Sequence, residues 1–187
     1  GVIGEYIYGK VNSENIVYIT FSTGIGAGVI SDGRLIKGWN GNFAEVGHMA
    51  IGGDRICGCG GKGHWEAYCS GKNIIEYAEE LTGKRYRSAK DVFDRFKEGE
   101  NMAKKVVKEF QEINAKALSN IINMYNPEII AIGGSLAVNN PDTILGRHIE
   151  MIKSEAINPI PEIKITSLKD HPVLYGLKAI CLNEFEY

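Results

Sequence analysis

Long apolar runs are missing from this chain. No stretch approaches the roughly 18 consecutive apolar residues that a membrane-spanning helix needs. Basic blocks are missing too. Lys and Arg number 21 against 23 Asp and Glu, and the formal net charge is −2. The chain therefore has no electrostatic footprint for nucleic acid and no polybasic anchor for a membrane surface. A secretory leader pattern is absent, and the opening GVIGEYIYG reads as an interior segment, so a fragment of a larger cytoplasmic protein is expected. Cysteine is limited to four residues. Cys57 and Cys59 sit too close to bridge each other comfortably, and nothing speaks for an oxidising compartment, so no disulfide framework is expected. Internal repeats and low-complexity tracts are likewise missing.

What is present is an ordinary globular composition of 187 residues, 44% hydrophobic and 24% charged. That is enough for one domain with a sizeable core. Glycine is dense in the first third and nearly absent from Ile74 to Asn126, which separates a loop-rich β front from a helical back. NIVYITFS (Asn15 to Ser22) is β-branched and aromatic, and reads as a buried strand. TGIGAG and VI follow, then the turn signal SDG, then RLIKG, so Ile16 to Lys37 reads as an antiparallel meander. GKNIIEYAEELTG reads as a helix closed by Gly83, and SAKDVFDRFKEG as one capped by Ser88 and stopped at Gly99. Ala103, Val106, Val107, Phe110, Ile113, Ala117, Ile121, Ile122 and Tyr125 recur at helical steps and predict a long amphipathic helix ending at Asn126-Pro127. Its stripe suits packing on a sheet, with a dimer face as the alternative. EIIAIGGS reads as a buried strand, Asp142 to Ala156 as a helix opening after Pro141, EIKITSL as a β run and VLYGLKAICLNEF as the last helix. The fold class is α/β, with a mixed sheet flanked by helices.

Two stretches carry chemistry. FSTGIGAGV puts the hydroxyls of Ser22 and Thr23 beside glycines 24, 26 and 28. Glycines there suit a tight turn with positive φ, whose backbone N–H groups make a nest for phosphate. A plain hairpin is the alternative. The second stretch runs EVGHMAIGGDRICGCGGKGHWE, a sequence with few core-forming residues. Cys57, Cys59 and His64 form a C-x-C-x4-H pattern, and His48 lies nine residues upstream. Together they make a Cys2His2 set for zinc, with all four positions filled and hence a structural site. Free thiols and surface imidazoles are the alternative. Glu45 and Glu66 bracket the segment, either as fixed acceptors for sugar hydroxyls or as solvated surface carboxylates. His171, beside Pro172, reads as a surface residue.

STGIGAGV, Gly38, AEVGH, CGCGGKGHWE, NPEIIAIGGSL and VLYGLKAI, taken together, resemble the ROK group of sugar kinases and repressors, over nearly the whole chain. The resemblance implies a ribonuclease H-like lobe of the actin-like ATPase (sugar kinase) fold. Residues 1–187 would form a C-terminal lobe, with 45–70 as a zinc- and sugar-binding loop insertion and the N-terminal lobe outside this chain. It implies an ATP-dependent transfer of the γ-phosphoryl group to a hexose or N-acetylhexosamine hydroxyl, glucokinase-like, with Mg²⁺ and structural Zn²⁺. A sugar-sensing repressor lobe is the alternative. By position, Ser22, Thr23, Gly24 and Gly26 would hold phosphate and Gly133, Gly134 and Ser135 the nucleotide. Glu45, His48 and Glu66 would meet sugar hydroxyls, and His48, Cys57, Cys59 and His64 would hold zinc. His48 would serve both, its second ring nitrogen directed by metal ligation. The catalytic Asp base is expected upstream, because Asp32, Asp54, Asp91, Asp94, Asp142 and Asp170 belong to no suitable motif, so the fragment alone should be inactive. Self-association is common among such kinases, and a homodimer or higher oligomer is expected. Two departures stand out. His64 replaces a family cysteine, and Phe43-Ala44 replaces a small residue and glycine, which would narrow the sugar pocket.

Overall fold

The computed structural model describes residues 1–146 and 148–186. Five strands form one sheet: β1 Ile16–Phe21, β2 Ile25–Ser31, β3 Arg34–Leu35, β4 Ile129–Gly133 and β5 Glu162–Ile165. Their order is β3-β2-β1-β4-β5. The first three make the expected antiparallel meander, and β4 and β5 add in parallel. The helices are α1 Val2–Tyr8, α2 Glu66–Cys69, α3 Asn73–Thr82, α4 Ala89–Lys97, α5 Asn101–Tyr125, α6 Ser135–Asn139, α7 Pro141–Leu145, α8 His148–Glu155 and α9 Pro172–Cys181. None among the described residues is long and apolar enough to cross a membrane.

The central strands are apolar at successive positions because both faces are covered. On one face Val17, Ile19, Phe21, Ile130 and Ile132 pack with α3, α4 and α5. On the other, Ile16, Tyr18, Ile129 and Ala131 pack with Val2 and Ile3 of α1 and Ala179 of α9. The period-two alternation of a strand thus feeds two separate cores. The stripe on α5 goes into the first, with Ala103, Val106, Val107, Phe110, Ala117, Ile121 and Ile122 buried and Ile113 and Tyr125 packed at its margin. Packing on the sheet side is therefore what that stripe does.

Helix ends follow local chemistry. The Ser88 hydroxyl accepts from the Asp91 amide at 3.1 Å, Gly83 closes α3 at φ 73°, and Asn126 closes α5 at φ 43° before Pro127. The expected helix from Asp142 to Ala156 is two helices instead. Gly146, at φ −38° and ψ −148°, leaves the helical region and separates α7 from α8. The third strand is shorter than RLIKG suggests, ending at Leu35, and the chain turns at Gly38, φ 68°. Neither α1 nor α6 has a periodic signal long enough to read from sequence.

Candidate metal centre and adjoining cleft

The segment from Glu45 to Ser70 is not the poorly packing ribbon its composition suggests. Trp65 is fully buried, and Cys57, Ala67, Tyr68 and Cys69 are buried with it. The Trp65 ring meets Phe21 edge-on at 5.3 Å between centroids, and its indole N–H donates to the buried Asn114 carboxamide oxygen of α5 at 2.7 Å. Around this anchor the chain folds back on itself. Residues 50 and 64 pair, as do 56 and 62, and the Trp65 amide donates to the Met49 carbonyl at 3.0 Å. Arg55 fastens the outer edge. Its Nε donates to the Ala67 carbonyl at 2.6 Å, its Nη2 meets Glu76 at 3.0 Å, and its Nη1 faces Glu80. Sequence reading missed Arg55 and Asn114, since a lone Arg and a mid-helix Asn carry no motif.

That fold brings His48, Cys57, Cys59 and His64 together, with one ligand atom from each within 4.8 Å of all the others. The Sγ of Cys57 lies 3.7 Å from His48 Nδ1, and the Sγ of Cys59 lies 3.2 Å from His64 Nδ1. Zinc bonds of about 2.0–2.3 Å in a tetrahedron place ligand atoms roughly 3.3–3.8 Å apart. The four donors fit that ion after small adjustments. Burial pushes the Cys57 thiol above its ordinary pKa, an effect a bound cation reverses. The four side chains are consistent with the zinc motif expected from the sequence, and His64 stands where an imidazole serves as well as a thiolate.

The carboxylates flank this cluster differently. Glu45 is exposed, and its Oε2 lies 3.8 Å from His48 Nε2, the ring nitrogen turned away from Cys57. Ala44 before it sits at φ 63°, a left-handed conformation that glycine enters without strain. The Phe43 ring lies against Tyr125 of α5, 5.9 Å between centroids. Glu66 begins α2, and its Oε2 accepts from the Ile25 amide at 2.8 Å, reaching the loop between β1 and β2.

Gly24 in that loop, and Gly26 and Gly28 within β2, all lack positive φ, contrary to the expectation that the turn requires it. Space is the reason at Gly24, where a Cβ would stand 2.5 Å from Glu66 Oε2. Across from it, Gly134 joins β4 to α6 at φ 84° and ψ 153°. A Cβ there would stand 2.2 Å from the Phe21 carbonyl oxygen, so only glycine lets the two turns meet. Ser22, Thr23 and Ser135 consequently line one cleft of ≈ 740 Å³, within the usual range for small-molecule sites. Lys72, Ser88, Lys90, Asp94, Lys97 and Asn139 are among its other lining residues. These residues come from α4, α6 and the α2–α3 junction, and no spacing in the sequence links them.

A profile of the ROK family matches residues 2–184. The chain belongs to the ROK family. Its sheet and flanking helices make a ROK, actin-like lobe. It is 36% identical over 183 residues to a glucokinase of Pyrobaculum calidifontis, covering 96% of this chain and 61% of that protein. It is also 29% identical over 191 residues to a xylose repressor of Bacillus subtilis, covering 99% of this chain and 49% of that protein. Among solved structures, a ROK hexokinase from Thermus thermophilus superposes with a TM-score of 0.84 at 25% identity, over 97% of this chain and 62% of that one. The chain thus spans about half to three fifths of the length of these relatives. Glucokinases and repressors both stand among its ROK relatives at similar identity.

Proposed function

We propose that this ROK chain is the C-terminal lobe of an ATP-dependent sugar kinase that phosphorylates a hexose or N-acetylhexosamine. The observation that carries this reading is the cleft shared by Ser22, Thr23 and Ser135, held open where Gly134 passes under the Phe21 carbonyl. Ser22, Thr23, Gly24 and Gly26 offer hydroxyls and amides to phosphate, while Gly133, Gly134 and Ser135 lie against the nucleotide. Glu45, His48 and Glu66 take the sugar hydroxyls, with His48 oriented through its neighbour Cys57. Zinc on His48, Cys57, Cys59 and His64 has no open position, so its part is to hold the loop. Mg²⁺ arriving with ATP supplies charge neutralisation, and transfer rests on positioning. The general base is assigned to the portion of the relatives that this chain does not span, so the chain alone is expected to be inactive.

A second reading, a sugar-sensing repressor lobe, is favoured by the similarity to the xylose repressor over 99% of this chain. The test is ADP release by the full-length protein with ATP and Mg²⁺ across a panel of hexoses and N-acetylhexosamines. Sugar-dependent ADP release supports the kinase. Sugar binding without turnover on any member of the panel supports the repressor and refutes the kinase.

A further inference from the structure

The cluster of metal-ligating side chains and the glycine loop are joined by one short element. α2 starts two residues after His64, and both of its ends touch the loop between β1 and β2. At its start, Glu66 Oε2 accepts from the Ile25 amide at 2.8 Å. Just past its end, the Gly71 amide donates to the Ser22 carbonyl at 2.8 Å. Asn73 steadies the element, donating to the Glu66 carbonyl at 3.0 Å and the Ser70 hydroxyl at 2.8 Å. The carboxylate meets the loop closely enough that Gly24 has no room for a Cβ, which would lie 2.5 Å from Glu66 Oε2.

We infer that Glu66 is a positioning residue for the phosphate loop, gripping it at Ile25 while Gly71 grips it at Ser22. The side chain assigned to the sugar thereby also sets the shape of the nucleotide site. This rests on the kinase reading above, and it adds a route by which the metal loop and the nucleotide loop are set together. A carboxylate accepting from a backbone N–H makes a charge-assisted bond. Its loss frees Ser22 and Thr23 at the cleft wall to take other conformations, with an entropy loss on ligand binding.

The experiment is calorimetric ADP binding to the full-length, zinc-loaded protein with no sugar present, so that the sugar role of Glu66 does not enter. Glu66→Ala is expected to weaken ADP about fivefold or more, the lower end of usual coupling between sites. Glu66→Gln, which keeps an acceptor oxygen, is expected to recover most of that. Gly24→Ala pushes the carboxylate away and should weaken ADP by a similar factor, yet add little in the Glu66→Ala background. Zinc content and melting curves are measured for every variant. If Glu66→Ala fails to fold, Glu66→Asp, whose shorter side chain draws the carboxylate back from the Ile25 amide, decides in its place. Unchanged ADP affinity in well-folded Glu66→Ala or Gly24→Ala, or effects of the two that multiply, would overturn the role. A wild-type protein that binds no ADP would instead overturn the kinase reading, and this role with it.

Discussion

Replacing Gly134 by alanine tests how the cleft beside Ser22 and Ser135 is built. The residue holds φ 84° and ψ 153°, a region open essentially to glycine alone, and forcing another residue into it costs about 1–3 kcal/mol. The added Cβ would also stand 2.2 Å from the Phe21 carbonyl oxygen, 2.6 Å from its carbon and 2.7 Å from Thr20 Oγ1. Two of those three atoms are backbone and cannot rotate away. The paired ends of β1 and β4, where Thr20 faces Gly133, must separate, at about 1–3 kcal/mol more. The sum, about 2–6 kcal/mol, is a large share of a typical domain stability of about 5–15 kcal/mol. At about 2–4 °C per kcal/mol for a domain of this size, the melting temperature should fall by about 4–24 °C. Gly26→Ala is the control. Its Cβ would meet only the Thr20 methyl at 3.6 Å, so its effect should stay within about 0.5 kcal/mol. Thermal and denaturant unfolding followed by circular dichroism read both. An unaffected Gly134→Ala, or a Gly26→Ala equally damaged, would refute the close-approach argument.

Arg55→Ala should lower stability by about 1–3 kcal/mol in urea unfolding, chiefly through the Ala67 carbonyl it strands, because Glu76 and Glu80 are 61% and 60% exposed and their ion pairs are screened. Ala44→Gly relieves a left-handed alanine at φ 63° and should be neutral or stabilising by up to about 1 kcal/mol in the same assay. Glu5 is fully buried and accepts from the Thr166 hydroxyl at 2.5 Å, while its Oε1 finds no partner. Burial raises its pKa above 4.5, against the hydrogen bond from Thr166. The folded state thus holds this proton to higher pH than the unfolded state, so stability declines as pH rises from 4.5 through the raised value. Glu5→Gln should flatten that part of the melting-temperature profile and melt higher at neutral pH.

Much of the fold was legible because its signals are strong and local. The β-branched runs 16–21 and 129–133, the apolar stripe of α5 and the caps at Ser88, Gly83 and Asn126 each contain their own instruction. The break at Gly146 was not legible, since glycine inside a helical pattern does not by itself say that the helix stops. Short α1 and α6 take their shape from what they pack against, which a window of five to seven residues does not reveal. At the site, the spacing of Cys57, Cys59 and His64 with His48 upstream suggests a metal set, and the folded loop brings the four together. The contact between Glu66 and Ile25 spans 41 residues, and the cleft joins Lys90 and Lys97 of α4 to Lys72 and to the loop after β1. They belong to the fold and could not be read along the chain. The glycine loop shows the converse. Gly24 makes room for a carboxylate rather than supplying the positive φ expected of it.

The central claim is that a coordinated ion fixes the 45–70 loop, and with it Glu45, His48 and Glu66. Elemental analysis of protein purified without chelator tests it most directly, in wild type and Cys57→Ser side by side. One zinc per wild-type chain is expected, with loss of the metal and a lower melting temperature in the variant. A metal-free wild type of full stability, or a Cys57→Ser variant that keeps both its zinc and its melting temperature, would contradict it.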